Sequence, residues 1–110
     1  DPKVLGNSGS FFKNPEIPLT QFEELQKRFP KIIHYPLPSG KVKVPAGWLI
    51  EQCGWKGKRI GNTGAYEKQA LVLVNYGNAT GEEVFQLAKD IAASVKDKFG
   101  ITITPEVNVL

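Results

Sequence analysis

The sequence predicts an α+β domain, a two-layer sandwich in which helices pack on a mostly antiparallel or mixed sheet, over a single domain at residues 1–110. Three observations predict it. A long amphipathic run at 80–99 opens on a capping box, Ala70-Leu71-Val72-Leu73-Val74 is a continuous apolar strand signal, and short alternating segments are divided by Pro and Gly. Strand order is left open by these signals.

In chain order, Gly6-Asn7-Ser8-Gly9 is turn-rich and leads into a short strand over 10–14. Alternation puts Ser10, Phe12 and Asn14 on one face and Phe11 with Lys13 on the other, with Ser10 and Asn14 about 13 Å apart at ~3.3 Å per residue. Phe22, Leu25 and Phe29 recur at helical spacing, Thr20 and Glu23 match a capping box, and Pro30 stops the run, so a helix is expected over 20–29. Residues 31–35 read as a strand broken by Pro36 and Pro38, and Lys41-Val42-Lys43-Val44 as a half-buried strand or short edge piece. Pro45-Ala46-Gly47 leads into a two-turn helix over 48–53 that stops at Gly54, and 57–64 reads as a loop.

The apolar run at 70–74 suits a central strand covered on both faces. Thr80 and Glu83 form the second capping box, Val84, Leu87, Ala88, Ile91, Ala92 and Val95 make the apolar stripe, and Gly100 sits at the stop. Residues 101–104 and 106–110 alternate on either side of Pro105.

Composition narrows the function classes. At 110 residues and 12.1 kDa, surface scaling leaves roughly 6,000 Å² exposed of about 17,500 Å² in the unfolded chain, enough burial for one core without staples. A single Cys excludes an internal disulfide and fits a reducing compartment. The apolar run at 70–74 is far short of the ~20 residues that a membrane helix needs, so no membrane insertion is expected. Fourteen Lys plus Arg against 11 Asp plus Glu give a charge of +3, which suits an anionic metabolite better than a nucleic acid. Because there is no Met and the chain opens on Asp1-Pro2, it is expected to be a piece of a longer polypeptide.

Several chemistries are set aside on residue type and spacing. His34 stands alone, so no metal site and no catalytic triad is expected. Cys53, beside Trp48 and Leu49, reads as a small buried hydrophobe rather than a nucleophile. Gly57 to Gly64 fails both the phosphate-loop and the dinucleotide spacing. The sequon Asn78-Ala79-Thr80 is outweighed by the capping role of Thr80, and the pairs Glu23-Glu24 and Glu82-Glu83 read as first-turn acids that complement helix dipoles. Two segments resist such readings: Gly9-Ser10-Phe11-Phe12-Lys13-Asn14-Pro15, where a small Gly lets a ligand approach the backbone, and Pro105-Glu106-Val107, where an acid sits between a proline and an apolar residue.

These segments, with Ala46-Gly47-Trp48-Leu49-Ile50-Glu51-Gln52-Cys53 and Gln69-Ala70-Leu71-Val72-Leu73-Val74-Asn75 between them, resemble the C-terminal domain of the UDP-N-acetylenolpyruvoylglucosamine reductase family, over nearly the whole chain. The resemblance implies a bacterial, cytoplasmic enzyme of peptidoglycan synthesis in which NADPH reduces FAD and a hydride then passes to the enolpyruvyl ether of a UDP-sugar, making UDP-N-acetylmuramate. It implies Ser10 as proton donor to the resulting carbanion or enol and Glu106 as the acid or hydrogen-bonding partner opposite. It implies Asn14, Tyr35, Lys56 and Gln69 around the UDP portion, with Lys56 supplying charge for a diphosphate. Where the family often carries Arg two residues after the glutamate, this chain has Asn108. FAD and NADPH are implied for the full-length enzyme, with FAD held by other domains of the same polypeptide and none expected on these 110 residues.

Two competing readings stand beside it. Trp55, Lys56, Lys58 and Arg59 suit a small nucleotide- or RNA-binding module. Adjacent Phe11 and Phe12 on opposite strand faces suit a protein-interaction domain in which one ring is left at an interface.

Overall fold

The computed structural model describes residues 3–5, 11–66 and 73–105. Of the candidate residues, Ser10, Gln69 and Glu106 lie outside the described residues, as do Asn108 and positions 70–72 of the apolar run.

The chain forms β1 (Lys3–Leu5), β2 (Glu16–Ile17), α1 (Leu19–Arg28), β3 (Tyr35–Pro36), β4 (Val42–Lys43), α2 (Ala46–Gln52), β5 (Arg59–Ile60), β6 (Thr63–Ala65), β7 (Leu73–Asn75) and α3 (Gly81–Phe99). This is the expected α+β arrangement, but the strands divide into two small antiparallel sheets, ordered β1-β7-β6-β5 and β2-β4-β3, where a single sheet was expected. Strands of two or three residues offer few ladder bonds, so each sheet depends on the side chains it places in the shared core, Ile17 and Val42 from one and Ala65 and Leu73 from the other.

α3 follows its sequence closely. Thr80 Oγ1 accepts from Glu83 N at 3.1 Å while Glu83 Oε1 accepts from Thr80 N at 3.3 Å, and Gly100 ends the helix at φ 71°. Val84, Leu87, Ala88, Ile91, Val95 and Phe99 are buried, which lays α3 against α2 and β6. α1 departs from expectation at its start. The N-cap is Pro18, whose carbonyl receives Phe22 N at 3.0 Å, and no side chain caps the helix. Proline's fixed φ already sets the helical entry, so Thr20 lies inside the helix and Glu23 and Glu24 fall beyond the first turn.

Of the two readings of 41–44, the half-buried strand holds and the edge piece does not: β4 is the centre of its sheet, with Tyr35 and Glu16 both in register with Lys43. Pro36 is tolerated within β3 because that strand is an edge, where a missing N–H costs no ladder bond. Residues 57–64 are not an open loop, since β5 and β6 form a hairpin pairing Arg59 with Gly64 and Ile60 with Thr63. The two-residue connection Gly61-Asn62, with Gly61 at φ 59°, is the glycine-first turn whose twist suits a tight hairpin. Residues 31–34 lie outside any strand, and so do 101–104, although Ile101 and Ile103 are buried and Thr102 and Thr104 exposed.

The C-terminal end of α3 meets the other two helices. The Phe99 ring lies 4.7 Å from Phe29 and 5.7 Å from Trp48, centroid to centroid, so one side chain of α3 touches residues of both other helical segments. Polar contacts follow the same convergence: Lys98 Nζ donates to Gln52 O at 3.1 Å, and Arg28 Nη2 and Gln21 Nε2 reach the carbonyls of Lys98 and Gly100 at 3.4 Å. These donors satisfy carbonyls that helix ends leave without intrahelical partners.

Candidate functional site

The site is built around α2. Phe11 and Phe12 are both buried, with their rings edge-on at 5.3 Å, so both faces of this segment lie in the core. That overturns the expectation that one of them is left at an interface. Phe12 pairs antiparallel with Pro105, and Lys13 N donates to Thr104 O at 2.9 Å. The segment that follows Ser10 in sequence therefore runs beside the segment that precedes Glu106.

Asn14 holds the next link. Its Oδ1 accepts from Ala46 N at 2.9 Å, and Val44 N donates to Pro15 O at 3.0 Å. α2 begins after Pro45, which supplies no capping side chain, so Asn14 caps it from 32 residues upstream. That bond uses only the carbonyl oxygen of the amide, leaving its NH₂ donors uncommitted by the cap.

Lys56 sits just past the other end of α2. Its Nζ stands 3.7 Å from Glu51 Oε1, and both side chains are partly exposed. Ala46 and Glu51 are five residues apart on α2, so the capped amide and the Lys56 contact are separated by about 7.5 Å along the helix axis at ~1.5 Å per residue. The main chain of Lys56 is fixed by a parallel bridge to Ala65. Tyr35 is half-exposed on β3, and two strand spacings of ~4.8 Å set it about 10 Å from Glu16 across Lys43. The structure thus joins Asn14 and Lys56 through α2 and puts Tyr35 at the far edge of the sheet that Asn14 leads into.

Side chains set aside on sequence are engaged structurally. His34 lies against Phe22 at 4.3 Å between ring centroids, with Nδ1 3.0 Å from Ile32 O. Cys53 is half-buried; burial pushes its thiol pKa up, while a hydrogen bond with Ser94 and the charge of Lys98 pull it the other way. A raised pKa leaves less thiolate and so a poorer nucleophile. Among the described residues no three His, Cys, Asp or Glu side chains cluster as metal ligands, and no helix is long and apolar enough to cross a membrane.

The basic stretch after α2 does not form a base-stacking platform. Trp55 is 7% exposed, its Nε1 donates to Ser94 Oγ at 2.7 Å, and Lys58 Nζ covers its ring at 4.8 Å. Arg59 stacks on Tyr76 at 4.1 Å. With the indole edge bonded and a cation over its ring, the reading as a single-stranded nucleic-acid module loses its aromatic surface. Sequence reasoning missed the Trp55–Ser94 pair. Its only signal was a serine, three residues after Ile91, beside the apolar stripe of α3.

This geometry defines an α+β domain in which two short antiparallel sheets and three helices share one core, with polar side chains gathered at the ends of a short helix. The family model described as the C-terminal domain of UDP-N-acetylenolpyruvoylglucosamine reductase matches residues 1–110, and the chain belongs to that family. A UDP-N-acetylenolpyruvoylglucosamine reductase of Porphyromonas gingivalis is 58% identical over 110 residues, covering 100% of this chain and 32% of the relative. The reductase of Flavobacterium johnsoniae is 56% identical over 110 residues, with 100% and 33% covered. That of Burkholderia vietnamiensis is 55% identical over 106 residues, with 96% and 30% covered. The chain spans 30 to 33% of the length of these relatives.

Among the described residues, the glycine-rich stretch at 57–64 does not fit the pyrophosphate of a flavin dinucleotide. A dinucleotide needs free backbone amides for its pyrophosphate. In the glycine-rich stretch at 57–64 and the residue after it, the amides of Gly57, Lys58 and Ala65 are spent on carbonyls at 3.1, 2.8 and 3.1 Å. A Cβ placed on Gly61 would stand 3.7 Å from Glu83 Oε2, so a carboxylate faces the turn and repels an anion.

Proposed function

We propose that this chain is the substrate-binding and proton-donating domain of an FAD- and NADPH-dependent oxidoreductase that converts UDP-N-acetylglucosamine enolpyruvate to UDP-N-acetylmuramate for peptidoglycan synthesis in the bacterial cytoplasm. Family membership supports the reaction class, and the pairing of Phe12 with Pro105 carries the assignment of the site. That pairing brings together the two chain segments adjoining Ser10 and Glu106, which are 96 positions apart in sequence (106 − 10).

A flavin held by the rest of the reductase and reduced by NADPH would supply the hydride chemistry. The residues of this domain bind the UDP-sugar and handle the proton. When hydride adds to the enolpyruvyl double bond, an electron pair is left on the carbon beside the carboxylate; Ser10 Oγ donates its proton there, forming the new C–H bond. A serine hydroxyl is a weak acid, but an enolate-like carbon is a strong base and fixed proximity lowers the demand on acidity. Glu106 supports the enolic intermediate from the opposite side. Lys56 meets the diphosphate: its contact with Glu51 is a surface ion pair worth about 0 to 1 kcal/mol, which a phosphate oxygen can replace. Asn14 offers the sugar nucleotide its amide NH₂, Tyr35 its phenol and Gln69 its amide.

In the full-length reductase, Ser10→Ala should leave flavin reduction by NADPH intact and slow flavin reoxidation by the UDP-sugar roughly 100-fold to 10,000-fold, followed by stopped-flow absorbance. Equal slowing of both half-reactions removes Ser10 as proton donor.

A further inference from the structure

Lys56 lies in a turn flanked by Gly54 and Gly57, which take left-handed conformations at φ 84° and 76°. Its pairing to Ala65 secures one side, Trp55 N donates to Ile50 O at 3.4 Å and Lys58 N to Trp55 O at 2.8 Å on the other, and the ion pair to Glu51 is long and partly exposed. The side chain of the preceding residue adds a further hold. Trp55 is buried in the core between the two glycines, and its indole N–H has one well-aligned partner, Ser94 Oγ at 2.7 Å. Ser94 is itself oriented, because its hydroxyl proton is donated to Ile91 O at 2.8 Å, which turns an oxygen lone pair toward the indole. α3, at 19 residues the longest element, thereby sets the depth and rotation of Trp55 and, through the adjoining peptide, the place from which Lys56 extends.

We propose that Ser94, acting through Trp55, is a positioning residue that presents Lys56 to the diphosphate of the UDP-sugar; this rests on Lys56 binding that diphosphate, as argued above. Ser94 touches no substrate. Removing its hydroxyl leaves a buried indole N–H without a partner, so the ring moves to seek water and the following residue moves with it.

The test uses the full-length reductase and four variants. Ser94→Ala should raise KM for the UDP-sugar roughly five-fold, the size expected for one lost hydrogen bond, while kcat and KM for NADPH stay unchanged. Ser94→Thr, which keeps the hydroxyl, should restore KM. Lys56→Ala should raise the same KM, and Lys56→Ala combined with Ser94→Ala should add nothing further, because both act on one contact. Thermal melting of each variant checks that the fold is kept. An unchanged KM in Ser94→Ala alongside a raised KM in Lys56→Ala overturns the positioning role and leaves the diphosphate reading standing. An unchanged KM in Lys56→Ala overturns both. Additive effects in the double variant, or a uniform loss across kcat and both KM values, would reduce Ser94 to a stability residue.

Discussion

At Asn14 one carbonyl oxygen carries a structural duty that residue type alone does not announce. It caps α2 across 32 residues of sequence, and α2 in turn spaces Asn14 from Lys56. The cap made by Asn14 and the substrate contact proposed for it can be separated chemically. Asn14→Ala should cost about 1 kcal/mol, the usual loss for a helix cap, whereas Asn14→Asp keeps the acceptor and should melt within a degree or two of the parent. Asp lacks the NH₂ donors and adds a negative charge, so the same variant in the full-length reductase should bind the UDP-sugar more weakly despite its intact fold. Melting by circular dichroism and KM measured on both variants check the separation; a destabilised Asp variant would sink it. His34 and Cys53 show the reverse case, chemically versatile side chains absorbed into packing. One lies against Phe22, and the other is held toward its thiol form by burial.

Among the elements, α1 and α3 carry the same sequence signature at their starts, and only α3 uses it. Thr80 and Glu83 exchange both hydrogen bonds of the capping box, whereas α1 enters through Pro18 two residues early and leaves Thr20 inside the helix. The difference is steric. Proline before Leu19 imposes the entry angle that a capping side chain would otherwise select. Thr80→Ala should therefore destabilise the domain by about 1 kcal/mol, while Thr20→Ala should stay within about 0.5 kcal/mol, compared by urea denaturation at constant slope. Equal losses would show that Thr20 caps α1 in solution. The β5–β6 hairpin is a second element whose signal lay in plain sight, since Gly61-Asn62 between Arg59-Ile60 and Thr63 is a two-residue turn. The glycines around it make the stretch read as a loop. Gly64 is there for a close approach: a Cβ on it would come within 2.7 Å of Lys58 O and 3.1 Å of Tyr76 Cε2.

For the molecule as a whole, the domain is organised by convergence. Phe29, Trp48 and Phe99 bring the three helices together, and α2 lies between Asn14 and Lys56. No cradle for a flavin pyrophosphate is built into 57–64, where the amides of Gly57 and Lys58 are spent and Glu83 faces the turn. The isolated 110-residue chain, mixed with FAD, NADPH and the UDP-sugar, should show no NADPH oxidation above background and no flavin co-eluting on gel filtration. Steady oxidation dependent on the UDP-sugar would refute the division of labour between this domain and the rest of the reductase.

By itself the sequence determined the α+β class, the long capped helix with its stripe from Val84 to Val95, the two-turn helix stopped by Gly54, and the segments that mark the family. Each of these is written in neighbours a few residues apart, where periodicity and capping act. Only the tertiary structure decided that the strands split into two sheets, that Phe11 and Phe12 are both buried, that Asn14 caps α2, and that Trp55 is tied to Ser94 rather than offered to a ligand. Those outcomes join residues 32 or 39 positions apart, or choose which faces of one short segment are buried. A contact between distant residues depends on which surfaces meet once the chain has closed, and local patterns carry no record of that choice.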